Sequence, residues 1–310
     1  MKKIFWIDGG AGRAVAAIPA LIKFGRLNPD VDWACMVATW DFLYWGISEL
    51  QDRTYGIDTK GVFDNVIKNA DQIITPEPYR NPAYFRQEIS LVEAFDREIN
   101  NTRDHSDLGL PVLKFNQQEI MVAKNTIEDL KSAQKKQKTV IFQPFGRGAK
   151  VDNRQGVFDE ESRSLSQKDY IYLVKKIAMR YNTIFFGEPE FQLKQDTVSQ
   201  KYTCDLRQWG ALIQESDYFI GCDSVGQHMA RAVGTPGTVI FGSTFPINTS
   251  YPDYFQIIET QQVRKYTPIR IAGLDATLSN RLNEGTINFT TKELDDIFNA
   301  IVSDIEKKVR

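Results

Sequence analysis

The stretch Gly221-Cys222-Asp223-Ser224-Val225-Gly226-Gln227-His228-Met229-Ala230-Arg231-Ala232-Val233-Gly234-Thr235-Pro236-Gly237-Thr238-Val239-Ile240-Phe241-Gly242-Ser243-Thr244 decides how this chain is read. A strand over residues 218–221 ends at an Asp-Ser pair, a helix starts at Val225, and the small residues Ala230 and Ala232 let that helix pack closely. Gly234-Thr235-Pro236 stops the helix, and a second buried strand follows at residues 238–242. The backbone amides of residues 224–228 then face an anion, because a helix N-terminus carries unpaired N–H groups and partial positive charge. Asp223, Ser224, Gln227 and His228 surround that point with donors and acceptors, which suits a diphosphate. The plain alternative for His228 is a capping or core histidine.

Outward from this segment the second half of the chain alternates strand and helix. Strands are expected at Thr139–Gln143 and residues 183–187, and helices at residues 167–181, Leu206–Glu215 and Val225–Val233. The first half opens in the same way. Residues 3–8 form a β-rich run ending at Asp8, Gly9-Gly10-Ala11-Gly12 follows, and an Ala-rich helix covers residues 13–25. A second strand over residues 31–39 leads to Trp40 and Asp41. Further strands are expected at residues 72–75 and 119–123. Between them lies a helix over residues 82–100, with Ile89, Val92 and Phe95 at helical spacing. A helix at residues 126–136 runs into Lys135-Lys136-Gln137-Lys138, read as a solvated linker. Residues 147–166 are a polar insertion without periodicity, suited to a lid or to surface decoration. Thr291–Lys308 sets Leu294, Ile297, Ile301 and Ile305 on one face. The expectation is an α/β chain of two Rossmann-like doubly wound domains, residues 1–135 and 139–290, facing each other across a cleft. The terminal helix, residues 291–310, is expected to pack back on the N-terminal domain.

Composition supports a folded chain of this kind: 310 residues, 42% hydrophobic and 25% charged, exclude disordered and collagen-like classes. Lys and Arg number 38 against 40 Asp and Glu, a net charge of −2, so bulk charge does not hold the molecule to a polyanion. Residues 1–130 carry 14 basic and 19 acidic groups, and residues 131–310 carry 24 and 21, so the positive balance falls on the second half. Cys35, Cys204 and Cys222 lie far apart and read as free thiols of a reducing cytosol. His105 and His228 have no Cys or His partner at ligand spacing, so no metal site is expected. No apolar run approaches the ~20 residues needed to cross a bilayer, so the chain is expected to be cytoplasmic, without membrane insertion. The Gly9–Gly12 loop is a weak dinucleotide motif. Val15 stands where Gly or Ala belongs, and Asp41 lies 29 residues beyond Gly12 rather than about 20. A tight turn explains the loop equally well, and no phosphate-loop G-x-x-x-x-G-K-[ST] occurs.

Residues 223–244 resemble the ADP-heptose:lipopolysaccharide heptosyltransferase family of GT-B glycosyltransferases. That family carries D-[ST]-G-x-x-H-[LM]-A-x-A-x-G-x-P, then a strand and F-G-x-T. The chain departs from this pattern at Val225, where glycine is usual, with Gly226 next to it. Residues 12–21, ending Ile18-Pro19-Ala20-Leu21, resemble the family's G-D-x-x-x-x-x-P-A-L. Residues 141–147, Ile-Phe-Gln-Pro-Phe-Gly-Arg, resemble its H-P-G-x-x-R. The resemblance implies a GT-B fold and a metal-independent glycosyltransferase that uses a UDP- or ADP-linked sugar as co-substrate and no other cofactor. Asp223, Ser224, Gly226, Gln227 and His228 would face the diphosphate or the sugar. Phe145, Gly146 and Arg147 would line the same pocket, Glu188 would accept the ribose hydroxyls, and Arg163 would stand for a phosphate-binding lysine.

The family's catalytic Asp is Arg13 in this chain, and an arginine cannot take a proton at neutral pH. Asp8 and Asp41, at the ends of the first two strands, are the expected replacements, with Asp104 and Asp107 as further acids. Arg13, with Gly10 and Gly12, would instead hold an anionic acceptor or the leaving diphosphate. The chain looks similar to phage-encoded relatives of the family, which makes a hydroxymethylated base in double-stranded DNA the first expectation for the acceptor. Lipopolysaccharide or another saccharide is the second. A DNA acceptor would require Lys2, Lys3, Arg13, Lys23 and Arg26 to gather on one face. An NAD-dependent oxidoreductase using the Gly9–Gly12 loop, and an inactive sugar-nucleotide-binding protein, are the remaining alternatives.

Overall fold

The computed structural model describes residues 1–146, 148–152, 156–159, 161–187, 196–260, 263, 265 and 285–309. Arg147 and Glu188, both expected in the donor pocket, lie outside them. The described residues divide into two compact units, 1–116 and 117–309.

The first unit is built on β1 (Lys2–Ile7), α1 (Ala11–Leu27), β2 (Asp32–Val37), β3 (Thr54–Gly56) and β4 (Gln72–Ile74). Its sheet runs β3-β2-β1-β4, with every pairing parallel. Parallel strands are covered on both faces, so β1 and β2 read as nearly continuous apolar runs. Phe5, Phe24 and Trp33 meet edge to face beneath α1, with ring centroids 4.7–6.1 Å apart. The expected helix over residues 82–100 is broken into α2 (Pro82–Phe85) and α3 (Leu91–Asn100). The break has a local cause: Gln87 takes φ 60, and Ser90 starts a new helix through a capping box with Glu93.

The second unit begins earlier than expected. Residues 119–123 are not a strand. They belong to α4 (Gln117–Gln134), in which Ala123, Ile127 and Leu130 are buried at helical spacing. Glu119 on α4 pairs with both Nε and Nη2 of Arg207, at 2.6 and 2.7 Å. That fork-to-fork pair ties α4 to the second unit and moves the division from residue 135 to 116. There follow β5 (Thr139–Gln143), β6 (Ala149–Asp152), β7 (Gly156–Asp159), α5 (Gln167–Ala178), β8 (Asn182–Phe185) and β9 (Gln200–Lys201). Next come α6 (Leu206–Glu215), β10 (Tyr218–Cys222), α7 (Val225–Val233), β11 (Gly237–Phe241), α8 (Pro246–Thr249), β12 (Gln256–Glu259) and α9 (Thr291–Lys308).

The main sheet of this unit runs β12-β11-β10-β5-β8-β9, again parallel throughout. The chain builds outward from β5 through β8 and β9, then returns to lay β10, β11 and β12 on the other side. This is the doubly wound order, with its reversal between β5 and β10. The polar insertion at residues 147–166 contains an antiparallel hairpin, β6–β7. α9 corrects a second expectation. Leu294, Ile297, Ile301 and Ile305 share the core of the second unit with Leu173, Ile177 and Tyr218, and the Tyr172 hydroxyl donates to Asp295 at 2.7 Å. The three cysteines are free thiols. No described helix is long and apolar enough to cross a membrane.

Candidate functional site

In a doubly wound sheet, ligands bind beyond the carboxyl ends of the strands, where the strand order reverses. In the second unit that point lies between Gln143, the last residue of β5, and Asp223, just after β10. α7 starts there. Its N-cap, Ser224, has extended backbone and makes no side-chain cap, so the first amides of the helix are not closed by their own cap residue. Gln143 takes up part of that role: its Oε1 accepts from the Gly226 N–H at 3.0 Å and its Nε2 donates to Ser224 Oγ at 3.3 Å. A Cβ at position 226 would lie 2.2 Å from Gln143 Oε1, so only glycine permits this approach. Because Ser224 Oγ accepts from Gln143, its own proton is left to donate, beside the half-buried start of the helix.

Asp223 is held from two sides. Gln227 Nε2 donates to its Oδ1 at 2.8 Å, and Thr244 Oγ1 donates to its Oδ2 at 2.6 Å. Gln227 Oε1 is buried with no hydrogen-bond partner among the described residues. Such an atom costs free energy unless something binds to it. The turn after the β6–β7 hairpin brings in Arg163. Asp159, fully buried, accepts from the amides of Glu161, Arg163 and Ser164 at 2.9, 3.3 and 2.9 Å, which fixes that turn. Arg163 pairs with Glu161 and reaches within 4.0 Å of Asp223. Ser164 Oγ accepts from the Gly146 N–H at 2.9 Å, placing Gly146 beside Asp223 and Ser224.

Two expected pocket residues have different roles. Phe145 does not line the site: its ring is buried in the core, edge to face with Tyr170 at 5.6 Å and Phe185 at 6.2 Å. His228 is buried, with Nδ1 2.9 Å from the Tyr251 hydroxyl. Burial pushes its pKa down to about 4, opposed by the nearby Asp223 charge, so the ring is neutral at pH 7. It is not a cation for a phosphate.

The corresponding reversal in the first unit lies between β1 and β4, and there the chain fills the crevice itself. Asp8 follows β1 and Glu77 follows β4. Arg13, 5% exposed, reaches from α1 to both carboxylates: Nη1 donates to Glu77 Oε1 at 2.9 Å and Nη2 to Asp8 Oδ1 at 3.2 Å. Its guanidinium also lies over Tyr79, 4.6 Å from the ring centroid. Gly9 takes φ 91 and leaves no room for a side chain, since a Cβ would stand 2.8 Å from Arg13 Cδ. Gly10 is the N-cap of α1 and Gly12 lies in its first turn, so the glycine loop is wrapped around an arginine already neutralised by two acids. The expectation that Arg13 grips an acceptor or a leaving group gives way to an internal ion pair. A pyrophosphate at the same loop would have to displace it, which removes the basis for the nicotinamide reading.

Asp41 opens the short 3-10 turn after β2, half-buried. Burial raises its pKa above the ordinary carboxylate value; the backbone amides of Asp41 and Phe42 oppose the shift and the Asp58 charge adds to it. Asp104 and Asp107 sit in the loop after α3. There the Asp104 carboxylate accepts from the Ser106 amide at 3.0 Å, and the Asp107 carbonyl accepts from Arg26 at 2.9 Å. Among the described residues, no three His, Cys, Asp or Glu side chains converge as metal ligands.

Gln143, Thr244, Asp159, Ser164 and Glu77 were not expected from the sequence as site residues. Gln143 ends an apolar strand and Thr244 closes the quoted motif, so position at a strand's carboxyl end was the available signal. Glu77 carried none, because only the fold brings it 64 residues back to Arg13.

Residues 191–263, which include this strand–helix segment, match glycosyltransferase family 9 (heptosyltransferase). Among solved structures, ADP-heptose lipopolysaccharide heptosyltransferase II of E. coli superposes with a TM-score of 0.63 at 14% identity, over 99% of this chain and 100% of that one. A family 9 glycosyltransferase from Veillonella parvula gives 0.62 at 11% identity, over 84% of this chain and 86% of that one. The E. coli heptosyltransferase WaaC with ADP gives 0.54 at 10% identity, over 100% and 99%. The chain has the GT-B fold of these heptosyltransferases, and its residues 191–263 are similar to that glycosyltransferase family. No curated protein matches it in sequence. The family match and the α7 N-terminus coincide, while the first unit carries the Arg13 ion pair outside the matched residues.

Proposed function

We propose that the chain transfers a sugar from an ADP-linked nucleotide sugar to a hydroxyl of a saccharide acceptor. One observation carries the donor half: the N-terminus of α7, uncapped by its own N-cap, with Ser224 Oγ accepting from Gln143 and so keeping its own proton to donate. The helix dipole, the Val225 amide and the Ser224 hydroxyl favour a diphosphate, and Arg163 approaches the same point from the hairpin turn. These groups would stabilise the charge that grows on the departing nucleotide. The buried, unpartnered Gln227 Oε1 suits a hydroxyl of the donor. ADP is preferred over UDP because WaaC, a relative in fold, was solved with ADP.

The saccharide reading replaces the DNA base as the first choice. Of the five cations required on one face, Arg13 and Lys23 are 5% exposed, paired with Glu77 at 2.9 Å and Asp96 at 3.0 Å. Charges committed inside the unit do not release counter-ions from a duplex. The base that deprotonates the acceptor hydroxyl is assigned to Asp41: Asp8 serves as a counter-ion of Arg13, whereas burial leaves Asp41 the readier proton acceptor.

Incubating the protein with ADP- and UDP-linked sugars and with lipopolysaccharide core oligosaccharide, while following nucleotide release and product mass, tests this reading. It expects ADP release that depends on the oligosaccharide. Transfer only to hydroxymethylated DNA, or none to either, contradicts it.

A further inference from the structure

We infer that the 3-10 turn after β2 is an acceptor subsite, an aromatic shelf of Trp40, Phe42 and Trp45 that stacks on the face of a sugar ring. This inference rests on the saccharide reading above and names the surface that would serve it. The crevice between β1 and β4 is occupied by Arg13, so the carboxyl end of β2 is the neighbouring ligand-facing position of that sheet. The turn Asp41–Tyr44 is anchored from beneath. Leu43 and Tyr44 are fully buried, and the Tyr44 hydroxyl donates to the Ala14 carbonyl at 2.7 Å. Trp40 Nε1 donates to the Gly9 carbonyl at 3.0 Å, which fixes the shelf to the glycine loop.

With two residues pinned inward, the others are displayed. Trp45 is 56% exposed, Trp40 and Phe42 are half-buried, and their ring centroids follow at 6.0 and 6.4 Å. The Asp41 carboxylate belongs to the same turn and lies close to Gly56, where a Cβ would be 2.9 Å away. Aromatic faces are electron-rich and attract the polarised C–H groups of a pyranose, and a carboxylate beside them accepts from its hydroxyls.

The same rings would also stack on a base, but the surroundings disfavour a nucleic acid. Residues 38–63 carry Asp41, Glu49, Asp52 and Asp58 against Arg53 and Lys60. The rings meet edge to face, at 67° and 71°, and form no parallel slot for a planar base.

Saturation-transfer NMR on the full chain, with lipopolysaccharide core oligosaccharides and a hydroxymethylcytosine DNA duplex as probes, tests the shelf without needing a donor. The expected result is transfer to sugar ring protons, weakened about tenfold in affinity by Trp45→Ala, an exposed position where the fold survives. Met179→Ala, at an exposed site on the second unit, should leave binding unchanged. ADP affinity, measured in parallel, should be the same in Trp45→Ala and wild type. Loss of ADP binding in wild type would overturn the donor reading and leave the shelf standing. Oligosaccharide binding unaffected by Trp45→Ala, no binding of any oligosaccharide, or a Trp45-dependent signal from the DNA alone would overturn the shelf.

Discussion

Two strand–loop–helix crossings in this chain have the same geometry and opposite contents. In the first unit β1 leads through Gly9 and Gly10 into α1. In the second, β10 leads through Asp223 and Ser224 into α7. Both lie where a parallel sheet reverses its strand order, and both helices begin without a side-chain cap. The first crossing is closed by the chain's own cation, since Arg13 spans Asp8 and Glu77. The second is braced from the side by Gln143, which occupies one amide and donates to Ser224 Oγ. A helix N-terminus at a switch point is therefore a site only where the sequence leaves it unfilled. An Arg at position 13 and a Gln at position 143 make that difference.

The largest effect is expected at Arg13. Arg13→Met leaves Glu77 buried without its cation, and the expected loss is about 3–5 kcal/mol of unfolding free energy, read from denaturant midpoints. A loss under about 1 kcal/mol would mean that the pair is not the internal plug described here. The second unit carries a pH signature at His228. His228 is held near pKa 4 when folded and titrates near 6.5 when unfolded, so the unfolded chain binds its proton first as the pH falls. Stability should be intact above pH 6.5 and decline toward pH 4, by about 3 kcal/mol from this residue. His228→Asn should flatten that part of the curve relative to wild type; parallel curves would contradict the assignment.

Smaller effects sharpen the functional side. Gln143→Met removes the brace on Gly226 and Ser224 without adding charge, and should weaken ADP binding about tenfold by calorimetry, with the circular dichroism spectrum unchanged. Asp41→Asn should abolish turnover while leaving ADP affinity unchanged. In the wild type, kcat should fall on the acid side at a pH above the ordinary carboxylate range, because burial raises the Asp41 pKa. An acid limb at an ordinary carboxylate pKa would point to a different base.

The second crossing was legible in the sequence because all of it is local: strand, Asp-Ser, helix and Gly-Thr-Pro follow one another within residues 218–236. The parallel sheets followed from apolar runs alternating with amphipathic helices. What the sequence hid depends on distant partners. Residues 119–123 resembled a strand because five residues do not distinguish periods of 2 and 3.6, and the salt bridge to Arg207 lies 88 positions away. The apolar stripe of α9 showed that the helix packs, but not which core receives it. Phe145 sits within a binding motif yet its ring turns into the core, since a strand end alternates its side chains between faces. Arg13 read as a ligand-binding cation because Glu77 is invisible until β4 is laid beside β1.

We assign the diphosphate of the donor to the N-terminus of α7. Isothermal titration of ADP into wild type and Gly226→Ala tests it most directly, because a Cβ at this position meets Gln143 Oε1 at 2.2 Å and must disturb the brace. The expected result is measurable ADP binding by the wild type and a loss of about a hundredfold or more in the variant, roughly 3 kcal/mol, with the fold retained. Equal ADP affinity in the two proteins would contradict it.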